Sequence, residues 1–220
     1  MGGVSPGWYG WWGMASGDVE LLEAWRAGDR GAGDRLTRQY YAAVHRFFAL
    51  RAADVADDLT QRTFLACSQG REPIAVSVRA YLFGIARKML LKHLDARSRE
   101  DDAAFDFDTP AAPSYFSPSR IVNVRQEYWL LLRALDNLAL DAQQLIALFY
   151  VEELRAREIG EVLGMSTTAV TTRLSRARDA LRAELAQLPA PPNVRAAVLD
   201  DLDAWARSLG SVLGELPSAV

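Results

Sequence analysis

The sequence predicts an all-α protein: two small helical domains, an acidic proline-bearing linker between them, and a C-terminal amphipathic helix. Three observations lead there. Leu and Ala recur at three-to-four-residue spacing along most of the chain. Val/Ile/Thr runs with period-two alternation, the mark of strands, do not occur. Between residues 101 and 120 the composition switches to four Asp, three Pro and one Arg, a local charge of −3. Prolines at 110, 113 and 118 forbid a continuous helix there.

With 220 residues, half of them apolar and 24% charged, the chain can build a core and is not a disordered polymer. A single cysteine, Cys67, excludes a disulfide framework, and with only two histidines a Cys/His zinc site is not expected either. No apolar run approaches the roughly 18 residues of a membrane span. Residues 1–17 are rich in glycine and carry Trp8, Trp11 and Trp12 but no Lys or Arg, so they lack the basic start of a secretory signal. They read as a flexible leader, with a tryptophan-anchored contact segment as the alternative, and the protein as cytoplasmic with no membrane partner. The net charge is only −3. A nucleic-acid binder of this composition must concentrate its positive charge locally.

The first domain, 18–100, holds four expected helices: Asp18 to Ala27, Gly31 to Leu50, Val55 to Ser68 and Val78 to Ser98. The linker, 101–120, follows. The second domain, 121–188, carries the apolar series Leu131, Leu135, Leu138, Leu145, Leu148, Phe149, Ile159, Val162, Leu163, Val170, Leu174 and Leu181, and ends at Pro189, Pro191 and Pro192. Each domain is near the size at which a core becomes marginal, so packing on a partner would help both. In the extension, 189–220, Asn193 is a candidate helix cap. Val198, Leu202, Trp205, Leu209, Val212 and Leu216 follow at spacings of four and three, a narrow apolar stripe expected to fold back on the chain, with a docking helix for another protein as the alternative.

The segment Leu154 to Leu181 is the most informative. Arg155 to Leu163 fits a short helix, Gly164 suits a left-handed turn, and Ser166 or Thr167 can cap the next helix. On a wheel of that helix, Val170, Leu174, Ala177 and Leu181 cluster within roughly 40°. Thr168, Thr172, Ser175 and Arg176 face the other way, with Thr171, Arg173 and Arg178 beside them. Arg forks onto a guanine edge, Thr meets base hydrogen bonds or a thymine methyl, and flanking Arg grips phosphate. Arg155 to Arg182 carries a local charge of +3. This pattern points to a helix-turn-helix reader of DNA.

Two stretches of the first domain also stand out. In DVADDLTQRTF, residues 54–64, Asp54, Asp57, Asp58 and Gln61 share one side of a helix. Such an acidic face suits a basic partner surface. In VRAYLFGIARKMLLKHLDARSR, residues 78–99, Leu82, Ile85, Ala86 and Met89 form the apolar side. Arg79, Arg87, Lys88, Lys92, Arg97 and Arg99 make the helix basic, and Tyr81 and Phe83 add rings. Cations interleaved with aromatics suit single-stranded DNA; for Phe83 and Tyr81 a core position is the competing reading.

Taken together and in this order, the segments resemble a bacterial RNA polymerase sigma factor of the extracytoplasmic-function (ECF) group, over Asp18 to Leu188. The resemblance implies roles for each. DVADDLTQRTF would dock on the clamp helices of the polymerase largest subunit through Asp54, Asp57, Asp58, Gln61 and Phe64. VRAYLFGIARK and the loop before it would open and read the promoter −10 element, using Arg79, Tyr81, Arg87, Lys88 and Lys92. The helix-turn-helix would read the −35 element through Thr167, Thr168, Thr171, Thr172, Arg173, Ser175, Arg176 and Arg178. The acidic linker would thread toward the RNA path. Core RNA polymerase (clamp helices and flap) and promoter DNA are the implied partners, with an anti-sigma protein as a further candidate. No cofactor, metal or catalytic residue is implied. Thr171 and Thr172 stand where that group frequently has a Lys-Ser pair, and Tyr81 where it frequently has Trp.

A stand-alone helix-turn-helix regulator is the alternative in the binding class; it would need dimerisation to span two half-sites. An enzyme is disfavoured. His45, His93, Asp57, Asp58 and Cys67 could serve acid/base or nucleophilic chemistry, but no phosphate loop, nucleophile elbow or HExxH motif accompanies them.

Overall fold

The computed structural model describes residues 14–100 and 125–215, and among these every regular element is helical. The expected linker, most of the leader, and Leu216 of the tail stripe lie outside the described residues. No helix among those described is long and apolar enough to cross a membrane.

The first half is built from α1 (Met14–Arg26), α2 (Arg30–Ala49), α3 (Ala56–Gln69) and α4 (Val78–Glu100), with a 3-10 turn at Ala53–Val55 leading into α3. Helix α1 begins inside the stretch read as leader. Asp29 starts α2 by accepting the Ala32 N–H at 3.1 Å, which satisfies one orphan donor of the first turn. The core joins Leu36, Val44, Phe47 and Phe48 of α2 to Leu59, Phe64 and Cys67 of α3 and to Leu82, Phe83, Ala86 and Leu90 of α4. Phe83 is therefore a core ring, set edge-on to Phe47 at 5.6 Å. Cys67 is fully buried, and burial pushes its thiol pKa up to about 12.

The second half runs α5 (Gln126–Asp136), α6 (Leu140–Ile146), a π-helical turn (Ala147–Val151), α7 (Ala156–Leu163) and α8 (Thr167–Gln187). The extension forms two helices, α9 (Pro192–Asp200) and α10 (Leu202–Glu215), where the sequence suggested one stripe capped by Asn193. Asn193 is not the cap. Pro192 takes the first helical position, where its fixed φ and missing N–H cost nothing, so the helix starts before Asn193. Asp201, at φ −138° and ψ 60°, then breaks the rod. The stripe still faces inward: Val198, Leu202 and Leu209 are buried, and Trp205 lies edge-on to Tyr128 at 4.9 Å. Helix α9 packs on α5 and α8, and α10 packs on α5 and the π-helical turn.

The two halves also pack on each other, α4 against α7 and α2 against α10. Polar side chains fix this contact. Glu152, 1% exposed at the end of the π-helical turn, accepts a two-pronged Arg46 at 3.2 and 3.0 Å, and Arg79 bonds its carbonyl. Ser77, whose hydroxyl accepts the Ala80 N–H at the start of α4, donates to Glu158 at 2.6 Å. The other oxygen of Glu158 accepts the Arg155 N–H at the start of α7. One carboxylate thus joins the N-termini of two helices from opposite halves.

Candidate nucleic-acid interface

Helix α8 is positioned by the turn before it. Gly164 ends α7 at φ 68°, ψ 37°, a left-handed conformation that only glycine adopts at little cost. Ser166 then caps α8 by accepting the Ala169 N–H at 3.2 Å. Gly160 lets the turn close: its carbonyl accepts the Met165 N–H at 2.9 Å, and a Cβ there would sit 2.6 Å from the Met165 carbonyl oxygen. Val170, Leu174, Ala177 and Leu181 of α8 are buried, as the wheel requires.

The opposite face of α8 is open. Thr167, Thr168, Thr171, Thr172, Arg173, Ser175 and Arg176 are all exposed. The hydroxyls of Thr171 and Thr172 both donate to the Thr168 carbonyl, at 2.9 and 3.0 Å. Arg173 lies 4.0 Å from Asp141. Arg178 differs from its neighbours. It is half-buried, bonds both carboxylate oxygens of Asp203 on α10 at 2.9 and 2.7 Å, and lies over the Tyr150 ring at 5.9 Å. Tyr150 in turn donates to Asp203 at 2.6 Å. The Arg178 and Tyr150 partners hold the Asp203 carboxyl below the usual aspartate range, although burial opposes them.

The basic helix α4 is divided. Lys88 and Lys92 are exposed. Arg79 is held at Glu152, 3.8 Å from its carboxylate, and Arg87 bonds Gln144 at 3.0 Å and Asp141 at 3.5 Å. Asp141 therefore stands between a cation of each half, Arg87 and Arg173. Burial raises Glu152 above the ordinary glutamate pKa despite Arg46 and Arg79. Tyr81 is half-buried, with the Arg26 guanidinium over its ring at 5.3 Å, and burial raises its phenol pKa.

On α3 and the turn before it, Asp54, Asp57, Asp58 and Gln61 are exposed. Asp57 accepts the Tyr41 hydroxyl at 3.0 Å and lies 3.3 Å from His45, while Asp58 pairs with Arg62 at 3.0 Å. Phe64 is a core residue, 5% exposed, and supports this face from beneath. Sequence reasoning missed Leu65, which is 56% exposed beside Gln61 and Arg62. An apolar residue on the polar side of the wheel was the available signal. Glu152, Asp141 and Asp203 were missed too, because their partners lie far away in sequence. Among the described residues no group of His, Cys, Asp and Glu could hold a metal.

The family model described as Sigma-70, region 4 matches residues 128–181, from α5 into α8. The ECF RNA polymerase sigma factor SigM of Mycobacterium tuberculosis (strain H37Rv) is 26% identical over 182 residues, covering 81% of this chain and 89% of SigM. SigL of the same strain, also an ECF RNA polymerase sigma factor, is 32% identical over 155 residues, 67% of this chain and 86% of SigL. The solved structure of CnrH in complex with the cytosolic domain of CnrY shares the fold, with a TM-score of 0.54 at 23% identity over 77% of this chain and 97% of that one. A helical chain whose α5 to α8 segment matches region 4, and which aligns with most of SigL at that identity, belongs to the ECF group of RNA polymerase sigma factors.

Proposed function

We propose that this sigma factor directs core RNA polymerase to its promoters by dividing the work between two helical surfaces. Helix α8 enters the major groove of the −35 element, with Thr168, Thr172, Ser175 and Arg176 against base edges and Thr167, Thr171 and Arg173 toward the flanks. Helix α4, with residues 69–77 before it, captures unpaired −10 bases, Lys88 and Lys92 meeting phosphate and Tyr81 offering a stacking surface. The acidic face of α3 docks on the polymerase largest subunit. The observation that carries this reading is the two-sided α8: a buried Val-Leu-Ala-Leu stripe opposite an open row of hydroxyls and one unclaimed guanidinium, Arg176.

The hydrogen bonds already made by α8 refine the chemistry. The Thr171 and Thr172 protons are used on the Thr168 carbonyl. These side chains therefore meet bases as acceptors, suited to adenine or cytosine amino groups, and through their methyl groups. Guanine recognition falls to Arg176.

Run-off transcription with core polymerase and a promoter library tests the assignment. Arg176→Ala is expected to lower transcription from the selected promoter about tenfold or more, the scale of one lost bidentate base contact, while polymerase pull-down stays unchanged. Equal loss of both would refute its role. Asp57→Arg is expected to weaken polymerase association; an unaltered pull-down would remove α3 from the docking surface.

A further inference from the structure

Between α3 and α4 the chain runs through 70–77 without regular structure. A segment that captures an unpaired base gains affinity by being held in one shape beforehand. Its two ends are fixed locally. The Gly70 N–H closes α3 on the Ala66 carbonyl at 2.9 Å, and the Ser77 hydroxyl caps α4 through the Ala80 N–H. In between, Arg71, Glu72, Pro73 and Ala75 are exposed, and Ile74 is half-buried against the core. A polar anchor for this middle stretch comes from far away in the chain.

That anchor is Arg26, the last residue of α1, a helix that packs on both α3 and α4. Its Nε donates to the Cys67 carbonyl at 3.3 Å and its Nη1 to the Glu72 carbonyl at 3.2 Å. The same guanidinium lies over the Tyr81 ring at 5.3 Å. One planar fork thus joins the end of α3, the loop and the first turn of α4, a span that the single nitrogen of a lysine could not cover. Nη2 is buried, so the guanidinium acts through the loop and the ring and not on DNA itself. Gly70 belongs to the same joint. Its φ of −66° suits any residue, yet a Cβ there would overlap the Tyr81 hydroxyl and come within 3.2 Å of Arg26 Nη2. The glycine is required by the closeness of these two side chains and not by its backbone angle. With Arg26 over one face of the ring, Tyr81 keeps the opposite face for a base.

We propose that Arg26 is a positioning residue for −10 readout: by tying the Glu72 carbonyl and the Tyr81 ring to the end of α3, it holds the loop in the shape that decides which unpaired base is accepted. The proposal rests on the reading of residues 69–77 and α4 as the −10 surface. Gly70 serves the same joint by leaving room for it.

The test uses the full chain with core polymerase on the promoter selected by run-off transcription. That promoter is compared with versions carrying each other base at the −10 position most sensitive to change. The readout is the ratio of transcript from the selected base to the mean of the others. A merely structural defect lowers all templates alike and leaves this ratio intact. Arg26→Gln and Gly70→Ala are each expected to reduce it about fivefold or more, because small misplacements of a recognition geometry are costly. Helicity by circular dichroism and polymerase pull-down should be retained. An unchanged ratio in Arg26→Gln, with a lowered one in Tyr81→Ala, overturns the role of Arg26 and leaves the −10 reading standing. An unchanged ratio in Tyr81→Ala as well removes the −10 reading, and this inference with it. If Arg26→Gln loses helicity, Gly70→Ala decides alone, since its backbone accepts alanine, and an unchanged ratio there sinks the proposal.

Discussion

Asp136 shows how one residue is set by burial more than by its neighbours. It is 4% exposed at the end of α5, and one of its carboxylate oxygens has no hydrogen-bond partner. Desolvation raises its pKa to about 6, against the opposing pull of Arg51 and Arg133. Arg51, 4% exposed, is itself lowered to about 10 by desolvation, with Asp136 opposing. The two charges thus fail to compensate each other's lost hydration, a common result for a buried pair without good hydrogen-bond geometry. The sign of the pH dependence follows. Between the unfolded value of about 3.9 and the folded value of about 6, the folded chain holds a proton that the unfolded chain has released. This contribution is therefore full at low pH and is lost as pH rises to about 6. Asp136→Asn removes it. Thermal unfolding at pH 4, 5, 6 and 7 should show the wild-type Tm falling relative to that of the variant as pH rises.

At the scale of elements, the helix-turn-helix depends on a glycine that no sequence pattern flagged. A methyl group at Gly160 would meet the Met165 carbonyl oxygen at 2.6 Å, closer than a Cβ can sit to a backbone atom, so the turn backbone must shift to admit it. Gly160→Ala is expected to cost about 1–3 kcal/mol in urea unfolding and to depress −35-dependent transcription more than polymerase binding. What the sequence made legible here was local. Gly164 in the turn, Ser166 at the cap and the buried face of α8 are all set within a few residues of chain, by left-handed backbone, by an orphan N–H and by a 3.6-residue period. Gly160 escaped notice because its neighbour in space is set by the turn. Similarly, Asn193 was a sound cap by composition, but the proline before it had already begun the helix. The break at Asp201 carries no proline or glycine signal.

For the whole molecule, the polar contacts that join the two halves link residues more than fifty positions apart, which periodicity does not report. Arg46 with Glu152 is the strongest instance, a forked pair between α2 and the π-helical turn with its carboxylate 1% exposed. Arg46→Ala leaves that charge facing Arg79 alone, at 3.8 Å. A loss of about 2 kcal/mol or more is expected, since a buried carboxylate deprived of its main partner keeps its desolvation cost; chemical unfolding checks this. The sequence reading assigned Arg79, Arg87 and Arg178 to nucleic acid from their placement on basic helices. In the closed chain each is claimed by a carboxylate or carbonyl of another element, and only the fold could reveal that competition. Finally, Cys67 has a practical side. The chain's single native sulfhydryl lies sealed in the first-half core and is held far from its thiolate form. Maleimide dyes will therefore find little competing background in the folded protein, and spectroscopic probes can be attached at chosen surface positions without first engineering a cysteine-less parent.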